Sequence, residues 1–244
     1  MRCLPLFWRA AAVLDLHLQT AAAPGELGID ACFLPLGFAS DFQPYARVEE
    51  LPDILAVRGL PASTRQFAPA GRDEFRERPI DLLFIGAPSE RRRRFFAQSA
   101  AAFSRFTCYL HLPETGTQRV SDPTALNTSA AVGLAQRARI VLNLHDSEAR
   151  YFEWQRIVHH GIWQRALVVT EPCTPVAGLR AGEHYLECPR SELPDLVTWL
   201  LRTTSGAARA ETVRRQAYAA LINDFDLRNC LRSVLPRLVA AVER

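Results

Sequence analysis

The sequence predicts an α/β fold, a parallel sheet wound on both faces by helices, and three observations predict it. Between residues 80 and 172, short apolar runs alternate with stretches of helical spacing. The runs, IDLLFIGA at 80–87 for example, are continuously apolar, as strands covered on both faces are. The same strand, helix, strand rhythm occurs once more at 11–38. Right-handed crossovers leave few other ways to assemble such a series.

Taken in order, AAVLDLH (11–17) reads as a strand, LQTAAAPGELG (18–28) as a helical turn, and ACFLPLGF (31–38) as a second strand. From 39 to 79 proline, glycine and charge rise while periodicity fades, which predicts a linker or loosely packed excursion. IDLLFIGA is then the first strand of a regular set. ERRRRFFAQSAAAFSRF (90–106) follows as a helix with Ser89 as its N-cap. TCYLHL (107–112) is a strand, TALNTSAAVGLAQRA (124–138) a helix, RIVLNLH (139–145) a strand, YFEWQRIVHHGIWQRA (151–166) a helix and LVVTEP (167–172) a strand. From 192 onward the chain is helical almost throughout. Two unequal units are expected: residues 1–75, the closing strands of an α/β domain with a linker, and 76–244, a complete second domain.

The 244 residues are 48% hydrophobic and 23% charged, the balance of an ordinary globular protein, and the net charge of +3 makes no case for nucleic acid. Every basic residue is arginine. Such planar, permanently charged forks grip phosphate or carboxylate. ERRRR at 90–94 reads either as a solvated helix face or as part of a site. Cys3, Cys32, Cys108, Cys173, Cys188 and Cys230 show no C-x-x-C or zinc spacing, so free thiols in a reducing cytoplasm and no metal are expected. Arg9 and Asp15 interrupt the apolar start too early for a membrane span of about 18 residues.

In an open parallel sheet, ligands collect at the carboxyl ends of the strands, where loops enter helix N-termini. Three such ends carry informative residues. In FIGAPSERR, Gly86 permits close approach of backbone, Ser89 offers a hydroxyl, and Arg91 and Arg92 follow; this is either a phosphate cradle or an ordinary tight turn. In LNLHDSEARYFEWQR, His145 and Asp146 close the strand, Glu153 opens the helix and Arg156 lies one turn on. Glu153 suits the two hydroxyls of a ribose, with Arg156 keeping it ionised; an intrahelical ion pair is the plainer reading. In VVTEPC, Thr170 and Glu171 sit at a strand end before Pro172. His159 and His160, adjacent in a helix, point apart and are not read as metal ligands. No nucleophile elbow, zinc motif or P-loop occurs.

The order of IDLLFIGAPSERRRRFF, ARIVLNLHDSEARYFEWQRIVHHGIWQRALVVTEPC, LRAGEHYLECPRSELPDLVTWLL and RRQAYAALI resembles the carboxyl-terminal half of glycosyltransferases with two Rossmann-like domains, the GT-B fold, and within these the CgeB-like, group 1 type. GIDACFLPLGFASDF is similar to the stretch that leaves the first domain. The resemblance implies a nucleotide-diphosphate sugar held mainly by the second domain, no metal or other cofactor, and an acceptor of unknown identity. It implies that Glu153 binds the ribose, within an E-x-x-R-I-x-x-x-G pattern matched by Glu153, Arg156, Ile157 and Gly161. Gly86 with Arg91 or Arg92 would face the diphosphate, Ser89 and His145 would line the same site, and Glu171 would lie near the sugar. No catalytic residue carries over. Relatives have a longer first domain, so this chain reads as a truncated product or half of a split enzyme, with a separate first domain or a homo-oligomer as the implied partner. A non-catalytic α/β module binding a nucleotide or partner is the alternative; a receiver domain is disfavoured because FIGAPSE lacks paired acidic residues.

Overall fold

The computed structural model describes residues 10, 12–15, 31–51, 60–69, 73–113 and 126–243. The segment 18–28, expected to be a helical turn, lies outside the described residues, as does Cys3. The chain is α/β, and its main sheet has five parallel strands with helices packed on both faces.

Two compact units are present, residues 1–40 with 219–244, and residues 41–218. In the smaller, β1 (Val13–Asp15) pairs in parallel with β2 (Ala31–Phe33). The last helix of the chain belongs to this unit. Phe38 N donates to Phe225 O at 2.6 Å, Leu227 N donates to Phe38 O at 2.8 Å, and Arg237 reaches Ala31 O at 3.1 Å. That helix, Leu227–Val242, is capped by Asp226, whose carboxylate accepts from Arg228 N and Asn229 N.

In the larger unit the strands are β3 (Ile80–Ile85), β4 (Cys108–His111), β5 (Ala138–Asn143), β6 (Leu167–Thr170) and β7 (Leu186–Glu187), in spatial order β4-β3-β5-β6-β7. The first four fall where apolar runs predict strands; β7 is two residues long and was not expected. Alternation divides each strand between two cores. Leu82, Phe84, Ile140, Leu142, Leu167 and Val169 pack with Phe95 and Phe103 of α2 (Glu90–Phe103) and with Leu193, Val197 and Leu200 of the helix Leu193–Arg202. On the other face Leu83 and Val141 pack with Ala130, Leu134 and Ala135 of α3 (Thr128–Gln136). The short α1 (Ala62–Gln66) precedes these.

The segment 41–69, expected to be loose, is tied down where described. Arg137, fully buried just beyond α3, donates to the carbonyls of Val48, Glu49, Thr64, Phe67 and Gly133 at 2.7–3.2 Å. Gln136 accepts from Val48 N and donates to Ala46 O. Irregular backbone has no ladder to satisfy its carbonyls, and one guanidinium with five N–H groups satisfies many at once. By contact, residues 41–75 cluster with the larger unit.

The helix predicted over 151–166 is a π-helix over Gln155–Ile162. Trp163 N bonds Val158 O and Ala166 N bonds Gly161 O, five residues back in each case. π-helical turns are rare and recur at functional sites. Gly161 is required by packing: a Cβ built there would overlap Val168 Cγ2 of β6, a short, buried side chain with nowhere to go. Gly161→Ala should therefore destabilise the protein by about 1–3 kcal/mol through overpacking, read as a lower urea midpoint at unchanged slope.

Candidate functional site

Strand order places the switch point between β3 and β5: the connection from β3 leads to β4 on one side, and β5 returns on the other. The crevice outside the carboxyl ends of these two strands is where such sheets bind ligands. The loops at 86–89, 144–153 and 171–173 follow the carboxyl ends of β3, β5 and β6 and carry all the sequence-predicted residues except Arg91, Arg92 and Arg156, whose side chains bond to groups of these loops and strand ends from the following helices.

Two of the arginines close the strand tips. Arg92, 3% exposed, donates to Leu144 O at 2.7 and 3.1 Å and to Ala87 O at 2.8 Å. Arg156 donates to Ile85 O at 3.0 Å, to Leu144 O at 3.3 Å and to Asn143 Oδ1 at 2.6 Å. Both guanidinium groups lie over the Phe84 ring, at 5.5 and 5.3 Å from its centroid. Carbonyls at the ends of buried strands have lost their ladder partners, and these side chains supply donors. Arg156 thus makes no direct ion pair with Glu153 within the helix, though the two charges still act on one another. Burial lowers the affinity of Arg156 for its proton, and the nearby Glu153 charge opposes that. Gly86 is required by the same packing, since a Cβ there would meet Phe84 at 2.9 Å and Arg156 at 3.1 Å. Ser89 is the N-cap expected, its hydroxyl accepting from Arg92 N at 3.3 Å.

Arg91 is held differently. Its NH1 and NH2 donate to the two oxygens of Glu171 at 2.6 and 2.5 Å, NH1 also reaches His145 O at 3.2 Å, and Nε donates to Glu148 at 2.9 Å. The bond to Glu171, with that to Glu148, holds this guanidinium charged above its ordinary range. Glu171 is 3% exposed and also accepts from His145 N at 2.8 Å. The sequence-predicted Arg91, His145 and Glu171 are therefore brought together as one bonded cluster. His145 Nε2 donates to Pro172 O at 3.1 Å, while the buried Nδ1 has no hydrogen-bond partner among the described residues.

Glu153 stands just before the π-helix, its carbonyl accepting from Ile157 N at 2.9 Å. Its carboxylate is only part-exposed, yet it takes no hydrogen bond or ion pair among the described residues. Tyr151 lies close enough to feel it: burial first, then the Glu153 and Asp146 charges, push the Tyr151 phenol up to about 12. A free carboxylate next to a protonated phenol is a hydrogen-bonding edge for a polyhydroxy ligand.

Sequence reading missed four participants. Asn143 links Arg156 to Thr170, its Nδ2 donating to Thr170 Oγ1 at 2.9 Å. Tyr151 carried no spacing signal. Glu148 sits in a polar bend that composition marks only as a turn, and Arg190, 3.6 Å from Glu148, belongs to a 3-10 turn after the unexpected β7. Burial pushes the thiol of Cys173, beside Thr170, up to about 11. His159 bonds Gln155 Oε1 at 2.9 Å and packs against the Tyr45 ring at 4.7 Å, tilted by 37°, and burial with the Arg156 charge pushes His160 down to about 4. Among the described residues no cluster suits a metal ion, and no helix is long and apolar enough to cross a membrane. An open groove of about 630 Å³, bounded by Glu187, Glu192, Asp195, Trp199 and Arg209, lies along β7 and contains none of the sequence-predicted residues.

No protein-family profile and no curated protein matches the chain. Solved structures do. The Anabaena protein HepE in complex with UDP and glucose superposes with a TM-score of 0.60 at 14% identity, over 94% of this chain and 63% of that one. HepE with UDP-glucose gives 0.57 at 13% identity, over 95% and 64%. A glycosyltransferase from Rickettsia africae gives 0.58 at 14% identity, over 96% and 64%. The chain spans less than two thirds of the length of these structures. At such identity the likeness is one of fold, and the chain shares the Rossmann-like α/β fold of these proteins.

Proposed function

We propose that the chain is the donor-binding part of a glycosyltransferase, holding a nucleotide-diphosphate sugar at the switch point for transfer to an acceptor. The observation that carries this reading is the part-exposed Glu153 carboxylate in the loop after β5, which takes no hydrogen bond or ion pair among the described residues, in a fold shared with a protein solved with UDP and with UDP-glucose. In this reading Glu153 accepts from the ribose hydroxyls, Tyr151 flanks it, and Arg91 faces the diphosphate. Arg92 and Arg156 hold the strand tips rigid from beneath, and Glu171 positions Arg91. The fold likeness supports a glycosyltransferase reading; the GT-B assignment and the CgeB-like group within it rest on the sequence resemblance. In sequence terms residues 1–75 would represent the end of a first Rossmann-like domain and its linker, with 76–244 the donor domain; by contact the linker, 41–75, clusters with the donor domain and the last helix with the first.

Positive side chains offsetting the charge that grows on a departing diphosphate would promote transfer. The second reading is a nucleotide-binding module without turnover. It is favoured by the commitment of Arg91 to two carboxylates, which leaves no surplus positive charge of its own at the tips. Incubation of the chain with UDP-glucose, with and without a supplied first domain, decides between them. Release of UDP in either condition is expected; UDP binding with no release would leave the module reading.

A further inference from the structure

Glu148 is the oddest member of the cluster. Its side chain is 81% exposed, in the bend after β5, yet two guanidinium groups from different elements converge on it. Arg91 Nε and NH2 bond its two oxygens at 2.9 and 3.3 Å, and Arg190 NH1 lies 3.6 Å away. Arg91 is anchored from behind: its NH1 and NH2 grip the buried Glu171, which leaves the Nε edge turned outward to Glu148. Arg190 is 40% exposed, and Glu148 is its one ion-pair partner among the described residues.

We propose that Arg91 and Arg190 form an anion subsite for a diphosphate, and that Glu148 occupies it as a resident carboxylate that the ligand displaces. This rests on the donor-binding reading above and names the part of the site that takes the phosphates. Carboxylate and phosphate oxygens present the same acceptors to a guanidinium fork, and a phosphate brings more charge and more oxygens. An exposed ion pair is weak and salt-screened, so its exchange for a dianion is easy. Glu171 cannot be exchanged in the same way, being buried and bonded on both oxygens. The outcome is a site that presents no bare arginine pair when empty, and that selects ligands carrying more than one negative charge.

Calorimetric titration at low salt with UDP, uridine and inorganic pyrophosphate tests this on the wild-type chain, Glu148→Ala and Arg190→Ala. Glu148→Ala should bind UDP and pyrophosphate about two- to fivefold more tightly, because the competitor and its repulsion are gone, with uridine unchanged. Arg190→Ala should bind both phosphorylated probes about three- to tenfold more weakly. At so exposed a position Glu148→Ala leaves the fold intact, and Glu148→Gln, which keeps the shape without the charge, should fall between wild type and alanine. Unchanged or weaker pyrophosphate and UDP binding in Glu148→Ala overturns the proposal, as does absence of binding by every variant. Tighter pyrophosphate binding with no affinity for uridine or UDP beyond it would keep the subsite and remove the nucleotide reading. UDP binding that depends on Glu153 but not on Glu148 would do the reverse.

Discussion

Replacement of Arg137 by alanine should lower the free energy of unfolding by about 4 kcal/mol. The residue is fully buried, and its guanidinium satisfies five carbonyls, among them those of Val48, Glu49 and Phe67, which lie outside any helix or strand, and Thr64 O within α1. Each orphaned buried carbonyl costs roughly 1–3 kcal/mol, but the bonds are not additive, because those of Val48, Glu49 and Phe67 are only part-buried and regain water when the segment lifts. With a whole domain stable by about 5–15 kcal/mol, such a loss is severe. Lysine at the same position keeps the charge but not the planar fork, and should restore less than half. Urea unfolding measures the loss, and amide exchange should show the loosening concentrated in 41–69. A change below about 1 kcal/mol would mean that the segment is held by something other than Arg137.

The second large effect concerns the crevice. Glu153→Ala should weaken binding of UDP by about 5- to 30-fold, corresponding to about 1–2 kcal/mol for hydrogen bonds to a charged acceptor. Uridine should lose the same factor, because the contact is assigned to the ribose, whereas pyrophosphate should be unaffected. Stability should change by less than about 0.5 kcal/mol, since the carboxylate has no partner among the described residues to lose. This separation matters: a fall in affinity at constant stability reports contact with the ligand. Equal affinity in both proteins would take Glu153 out of the site and leave the fold likeness without a functional anchor.

Much of the fold was legible from pattern. IDLLFIG and RIVLNL are strands because continuous apolar runs of that length suit burial on both faces, and Ser89 caps its helix as its position foretells. Other elements escaped. β7 is too short to leave a period, and the π-helix carries no signature that separates it from an ordinary helix of the same composition. The excursion at 39–79 reads as loose because side chains that bond its described parts, Arg137 and Gln136, are distant in sequence and no local window contains them. Within the candidate site, residue types and strand ends pointed to Arg91, His145, Glu153 and Glu171. Their partners were another matter. Spacing paired Glu153 with Arg156, and the structure instead turns Arg156 inward onto Ile85 O and Leu144 O.

By itself, then, the sequence determined the parallel α/β sheet, its order of elements and the strand ends at which charged groups gather. These follow from periodicity and turn chemistry, which are local. Tertiary structure alone decided which guanidinium seals a strand tip, which grips Glu171 and which shares Glu148 with Arg190. That choice depends on which carbonyls and carboxylates remain without partners once the crossovers have brought distant loops together, and a buried group left in that condition will take the nearest donor whatever its distance along the chain.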